Sequence, residues 1–317
     1  VLIPKGYTRD YLDGKIRHED QEKLVQEAYE HVRSNSDVIL CEGTGHCAVG
    51  SIVHASNAQV ASWLDAKMVL VANGGLGNTF DELELNKVLC DREGVDIAGV
   101  IVNKVQPDKL EQTREYIQKA LNMHWGDVPL LGCVPDRPFL GCPALTDLER
   151  LFGTKLITGT RHRLRHYQLQ DLNLVATSRA VFLDTLRTNH SRTLYVAHSS
   201  RTELLLGFLQ EHPTNVGEDE PHQAALVVTG TDEHSLNEEI WEVIKSMTPE
   251  ERDAAPPVIL APHSTHKAMD MIHRYTPKLN SEDASRANKA SEHYEPHINF
   301  DLLLSRAGYP MSEIARV

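Results

Sequence analysis

The chain has 317 residues, 41% of them hydrophobic and 24% charged, with a formal net charge of −13. That length allows two domains, each with its own core. The acidic balance argues against general attraction to nucleic acid or to an anionic membrane surface. No apolar run approaches the roughly 20 residues that span a bilayer, and the start "VLIPKGYTRDYLDGK" lacks the layout of a signal peptide. The first residue is Val rather than Met, which fits a mature or trimmed form. The five cysteines, Cys41, Cys47, Cys90, Cys133 and Cys142, are odd in number and include no C-x-x-C pair. Buried free thiols in a reducing compartment, cytoplasm or organellar matrix, fit this better than a disulfide framework or a zinc site.

Along the first half, apolar runs alternate with amphipathic segments. "QEKLVQEAYEHVRSN" has helical spacing at Leu24, Val25, Ala28 and Val32, and the run "DVILC" after it predicts a strand. "SNAQVASWLDA" predicts a helix with Ser56 as N-cap, leading to the strand "KMVLVANGG". A helix through "TFDELELNKVLCDREG" closes on Gly94. Then come the strand "IAGVIVNKV", a helix opening at Pro107, and the short strand "VPLLGCVP". Continuously apolar strands between helices predict a parallel sheet covered on both faces. Ligands of such sheets sit at the carboxyl ends of the strands, which would put Glu42–Gly45, Asn73–Gly77, Asn103–Lys104 and Pro135–Asp136 on one rim.

The rhythm changes near Leu151, beyond which lie twelve of the seventeen histidines, so the predicted domains are 1–150 and 151–317. Strands in the second are "LNLVATS", "RTLYVAHS", "QAALVVTGT" and "PPVILAPHS", with helices "RTELLLGFLQEH" and "SLNEEIWEVIKSM". It too is α/β. "HPTNVGEDEPHQ" and "SMTPEERDAAPP" read as exposed loops.

The stretch "DVILCEGTGHCAVGSI" carries the chemistry-bearing pattern. Gly43, Gly45 and Ala48 fit the dinucleotide fingerprint G-x-G-x-x-A, yet Asp65, the one acid at a suitable distance, precedes its strand instead of ending it. Gly45 and Gly50 have P-loop spacing, but Ser51 stands where the phosphate-binding lysine belongs, and no G-x-x-x-x-G-K-[ST] occurs elsewhere. A third reading takes the acid and glycine after an apolar strand as the Mg²⁺-side strand of a P-loop enzyme, where the acid holds the metal and the glycine amide approaches the γ-phosphate.

"CEGTGH", "SNAQVASWLDAKMVLVANGGLGNTFDELELNKVL" and "GVDIAGVIVNKVQPDK" together resemble the dethiobiotin-synthetase-like P-loop domain. That domain also occurs at the N-terminus of long phosphate acetyltransferases and in cobyrinic acid a,c-diamide synthases. The stretches "ALVVTGTDE", "PPVILAPHSTHKAMDMI" and "SEDASRANKASEHYEPHINFDLL" resemble the DRTGG domain that follows it in those acetyltransferases, with Val227–Val228–Thr229–Gly230–Thr231 in place of the name motif. The resemblance implies a P-loop NTPase-like parallel sheet with helices on both faces, plus a smaller α/β DRTGG-like domain. It implies ATP and Mg²⁺ as ligands, with Glu42 on the metal and Gly43, Thr44 and Gly45 near the phosphates or a carboxylate substrate. Asn103 and Lys104 match the strand end that approaches the base. Gly74 and Gly75 can present backbone N–H groups to an anion, or simply make a tight turn.

Other features carry two readings. His46 is either a phosphate contact or an exposed rim histidine. The basic cluster "RHRLRHYQLQ" is an anion seat, a solvated loop or an interface strand. His263, His266 and His273 have no H-E-x-x-H arrangement, so a metal is not expected there. Three functions fit: a non-catalytic regulatory or assembly protein that binds an adenine nucleotide, the regulatory part of a phosphate acetyltransferase, or an ATP- and Mg-dependent ligase or amidase. The expected partners are a second copy of the chain and a larger protein complex, with neither nucleic acid nor membrane.

Overall fold

The computed structural model describes residues 3–168, 172–189, 192–210, 223–232, 235–279 and 282–309. The chain divides into two compact units, residues 1–136 with 290–317, and residues 137–289.

The first unit opens with α1 (Tyr7–Leu12) and α2 (His18–Arg33). It continues with α3 (Asn57–Trp63), β1 (Met68–Asn73), α4 (Gly77–Glu93), β2 (Ile97–Val105), α5 (Leu110–His124) and β3 (Leu130–Pro135). Ser56 caps α3, its hydroxyl accepting from the Gln59 N–H at 3.1 Å. Gly94 closes α4 in the left-handed conformation. The strands form a parallel sheet in the order β1-β2-β3. Val100 and Val102 join Ala58, Leu83, Ile117 and Leu121 in one core, while Ile101 joins Leu131 and Val134 in another. Burial on both faces explains why "IAGVIV" is apolar without alternation.

Two expectations fail here. Val38–Cys41 forms no strand, and Leu40 is 93% exposed. Among the described residues β1 pairs with β2 alone, so no ladder there satisfies the backbone of this run, and its propensity gives way to hydration. The predicted apolar stripe of α2 is likewise uncovered among the described residues, with Leu24 and Val32 exposed and Gln21 buried.

In the second unit come α6 (Leu145–Phe152), β4 (Leu156–Thr158), β5 (Leu172–Leu174), α7 (Arg179–Thr188), β6 (Leu194–His198) and α8 (Thr202–Gln210). They are followed by β7 (Ala225–Thr229), α9 (Glu238–Ser246), α10 (Pro249–Ala254), β8 (Val258–Ala261) and α11 (Thr265–His273). The sheet order is β4-β8-β7-β6-β5, parallel except for β4. Phe182, Leu186, Leu204, Phe208, Ile240 and Ile244 from α7, α8 and α9 fill one face, and residues of α6 and α11 fill the other.

Here "SMTPEERDAAPP" is not a loop. Thr248 and Glu251 make a reciprocal capping box at 3.2 and 2.8 Å, with Pro249 opening α10. "HPTNVGEDEPHQ" lies outside the described residues up to position 222.

The tail comprises α12 (Ala284–Tyr294) and α13 (Phe300–Arg306). Ile298, Leu302 and Leu303 pack on the Ile101–Leu131–Val134 cluster, and the Asn299 N–H donates to the Leu131 carbonyl at 2.8 Å. The division therefore falls at Asp136 instead of 150, and residues 290–317 return to the first unit. Leu145, Leu148 and Phe152 of α6 are the reason for the earlier boundary, since their apolar face belongs to the second core. No helix among the described residues is long and apolar enough to cross a membrane.

Candidate functional site at the carboxyl rim of the first sheet

β1 and β2 run in register to a common end, Asn73 opposite Asn103. Beyond it the chain must leave both strands within a few ångströms. Gly74 makes this feasible, because a Cβ there would lie 2.6 Å from Val105 Cα and 2.8 Å from the Lys104 carbonyl oxygen. Lys104 holds φ 55, a left-handed conformation that a non-glycine residue rarely adopts, and its side chain is exposed. The Asn103 carboxamide supports the turn. Its Oδ1 accepts from the Lys104 N–H at 2.9 Å and its Nδ2 donates to the Tyr294 hydroxyl at 3.3 Å.

α4 starts directly behind Gly75. The Thr79 hydroxyl donates to the Asn73 carbonyl at 2.8 Å, tying the first turn of this seventeen-residue helix to the end of β1. Its N-cap, Leu76, offers no side-chain acceptor, so the first-turn N–H groups have no side-chain cap, and the helix dipole favours an anion there. β3 completes the rim where the Asp136 N–H donates to the Val105 carbonyl at 2.7 Å. Gly74, Gly75, Asn103 and Lys104 are thus brought together.

Glu42, Gly43, Thr44 and Gly45 are held elsewhere in the unit. The Asn57 carboxamide donates to the Thr44 and His46 carbonyls at 3.1 and 2.9 Å, and the Cys47 N–H donates to Asn86 Oδ1 at 2.8 Å. Asn86 lies about 13 Å along α4 from its first residue at 1.5 Å per residue. Glu42 does not end a buried strand; it is exposed in an irregular segment. Among the described residues, no three His, Cys, Asp or Glu side chains are grouped to hold a metal. The rim fits the anionic part of a nucleotide. A magnesium ion there would take its oxygens mainly from the phosphates and water, with one carboxylate at most.

The basic cluster proves to be internally paired. Arg163 donates to Glu149 Oε2 at 2.7 and 2.9 Å, and the Leu156 N–H donates to Glu149 Oε1 at 2.9 Å. Burial would raise the Glu149 carboxyl, but these donors outweigh it and hold the pKa below the usual range. His166 is buried 2.7 Å from Asp283. Arg163 and His166 are therefore engaged by carboxylates, while Arg161 of the same cluster is exposed. Sequence reading missed the acids Asp147, Glu149 and Asp283; the available signal was Asp147, placed to accept the Ala144 N–H at 2.8 Å in a helix cap.

At the carboxyl end of the second sheet, Thr229 and Thr265 hydroxyls meet at 2.7 Å and the Gly230 N–H donates to the His263 carbonyl at 2.7 Å. Ser264 caps α11, accepting from the Lys267 N–H at 3.4 Å.

Residues 10–144 match an AAA domain. The match takes in the whole three-stranded sheet and bears out a P-loop-type α/β reading of the first part of the chain. Over 87% of its length the chain is 26% identical to a phosphate acetyltransferase of Synechocystis sp., covering 38% of that protein. It is 21% identical to the Nitrosomonas europaea phosphate acetyltransferase over 96% of its length and 42% of the relative's. A cobyric acid synthase of Clostridium botulinum is 28% identical over 43% of the chain and 29% of that protein. The chain therefore spans about two-fifths of the acetyltransferases it matches. No solved structure matches it.

Proposed function

We propose that the chain is the nucleotide-responsive, non-catalytic part of a phosphate-acetyltransferase-type assembly. An adenine nucleotide sits at the β1–β3 rim, and the second unit is a DRTGG-like module through which copies of the chain associate. One observation carries this reading: similarity to the acetyltransferases extends over 87–96% of the chain, through both units, whereas the cobyric acid synthase covers 43%. The rim supplies what a phosphate needs, backbone donors at Gly74, Gly75 and the first turn of α4, with the exposed Lys104 as counter-charge.

Titration calorimetry with Mg·ATP tests the proposal on the wild type and on the Lys104→Ala variant. Binding should weaken about tenfold or more with loss of a charged contact of this kind. Equal heats in the two proteins would mean that the rim does not bind the nucleotide. Sedimentation at micromolar concentration tests the association, and a monomer would contradict it.

The similarity to cobyric acid synthase favours a second reading, an ATP-dependent ligase or amidase that activates a carboxylate as an acyl phosphate. Sustained ADP release on addition of carboxylic acids, each turned over stoichiometrically, would select this reading over the first.

A further inference from the structure

Five cysteines without C-x-x-C spacing predict unpaired thiols, yet the fold brings two of them into contact. Cys47 Sγ and Cys90 Sγ lie 3.9 Å apart, from positions 43 residues apart in sequence. Cys90 is on α4 and fully buried; Cys47 retains 6% exposure. Cys133 belongs to the same core, but its sulfur faces the Leu110 carbonyl at 4.0 Å. A disulfide needs an S–S separation of about 2.05 Å, so the pair must close by roughly 1.9 Å.

The setting gives the two sulfurs different parts. Cys90 shares its proton with Cys47, which lowers the Cys47 pKa and raises that of Cys90. Cys47 is also the one with a path to solvent. The thiolate is the reactive form, so Cys47 attacks and Cys90 resolves.

We propose that Cys47 and Cys90 form a peroxide-driven, thiol-reversible disulfide that locks the Glu42–Gly45 loop onto α4. In the first step the Cys47 sulfur attacks one oxygen of hydrogen peroxide. An S–O bond forms, the O–O bond breaks, and hydroxide leaves and is protonated to water. In the second, the Cys90 sulfur attacks the Cys47 sulfenic acid. The S–S bond forms, the S–O bond breaks, and the hydroxide leaves with the Cys90 proton as a second water. Two thiols are oxidised and one peroxide is reduced; a dithiol reductant reverses the result.

The bond would add a covalent anchor two residues after Gly45 to the hydrogen bond that the Cys47 N–H donates to Asn86 Oδ1 of α4. This inference does not depend on the nucleotide reading, since it concerns the loop's attachment and not what the rim binds.

Cys41 is exposed and shares a tryptic peptide, residues 34–67, with Cys47. The experiment therefore uses the full chain carrying Cys41→Ser, treated with hydrogen peroxide and compared before and after dithiothreitol. The expected product has lost about 2 Da, the two thiol hydrogens. It carries a crosslink between peptides 34–67 and 88–92, and shows amide exchange over residues 43–50 slowed about tenfold. Adding Cys90→Ala should stop the reaction at a sulfenic acid on Cys47, captured by dimedone. The proposal is overturned if no such crosslink forms, or if dimedone labels Cys133 or Cys142 and not Cys47. Because the crosslink is mapped on a protein with both cysteines intact, a folding defect in the Cys90→Ala variant leaves the primary test standing.

Discussion

Arg286 Nη2 donates to Asp147 Oδ2 at 2.7 Å, and each side chain keeps only 1% of its surface exposed. The same guanidinium reaches the Cys142 carbonyl at 3.1 Å and, through Nε, Asp283 at 3.1 Å, while Nη1 is buried with no hydrogen-bond partner among the described residues. One cation thus serves two buried carboxylates. Arg286→Met would remove the cation the two share, leaving Asp283 with His166 at 2.7 Å and Asp147 with Arg150 at 3.5 Å, and breaking a buried pair costs about 3–5 kcal/mol. Urea unfolding of the full chain should show that loss in the transition reporting the second unit. A loss below about 1 kcal/mol would mean the carboxylates find other partners.

Acid should weaken the same network in steps. Burial pushes the His166 imidazole below its ordinary value, against the raising effect of Asp283 and Asp147 and assisted by Arg286. The folded state then binds the His166 proton less tightly than the unfolded chain. The stabilising contribution is full above the unfolded value, about 6.5, and is lost as pH falls through the lower folded value. Burial raises the Asp283 carboxyl, but the Arg286 backbone N–H, His166 and the Arg286 charge outweigh it and hold the pKa low. That contribution is lost only below the ordinary carboxylate range, about 3.9. The melting temperature should be level above neutrality and begin to fall near pH 6.5. His166→Gln should flatten the fall between about pH 6.5 and 5 and keep the one below 4. Parallel curves for the two proteins through the upper window would refute the assignment to His166.

Gly74 and Gly77 offer a paired test at the rim. A Cβ at Gly74 meets the backbone of Val105, whereas one at Gly77 meets nothing within 4 Å. Gly74→Ala should cost about 1–3 kcal/mol by forcing two strand exits apart. Gly77→Ala, in the first turn of α4, should be neutral or stabilising by up to about 1 kcal/mol. Denaturant midpoints decide it; equal midpoints would mean that Gly74 does not limit the approach of β1 to β2.

At the start of α10, Thr248→Ala should cost about 1 kcal/mol by removing the hydroxyl that accepts from the Glu251 N–H. Glu251→Gln should stay within a few tenths, since Gln can also bond back to the cap residue. If the two variants melt alike, the reciprocal cap contributes nothing to α10.

Strands buried on both faces were readable because their apolar runs need no alternation: Ile97–Val105 and Ala225–Thr229 both lie where the pattern placed them. Helix ends at Ser56 and Gly94 were readable because each residue type has one dominant local use. Val38–Cys41 misled for the opposite reason. Its composition states a preference for β structure, but a strand also needs a neighbour, and pairing is not a local property. Of the rim, Gly74–Gly75 and Asn103–Lys104 were recoverable from strand ends alone. The placement of Glu42 was not, because it depends on carboxamides at Asn57 and Asn86 that have no pattern of their own. Glu149 and Asp147 escaped notice because they reach Arg163 and Arg286 from 14 and 139 residues away, whereas Asp283 lies only three residues from Arg286.

The return of Ile298, Leu302 and Leu303 to the underside of β2 and β3 has a consequence for how the molecule is made. During synthesis, Leu131 and Val134 leave the ribosome about 170 residues before the side chains that cover them, a delay of roughly 8–34 s at 5–20 residues per second. The intervening segment, 137–289, has its own cores and can fold in that interval. A fragment ending near residue 136 would keep one face of its sheet bare, so expression boundaries for the first unit have to include the stretch that emerges last.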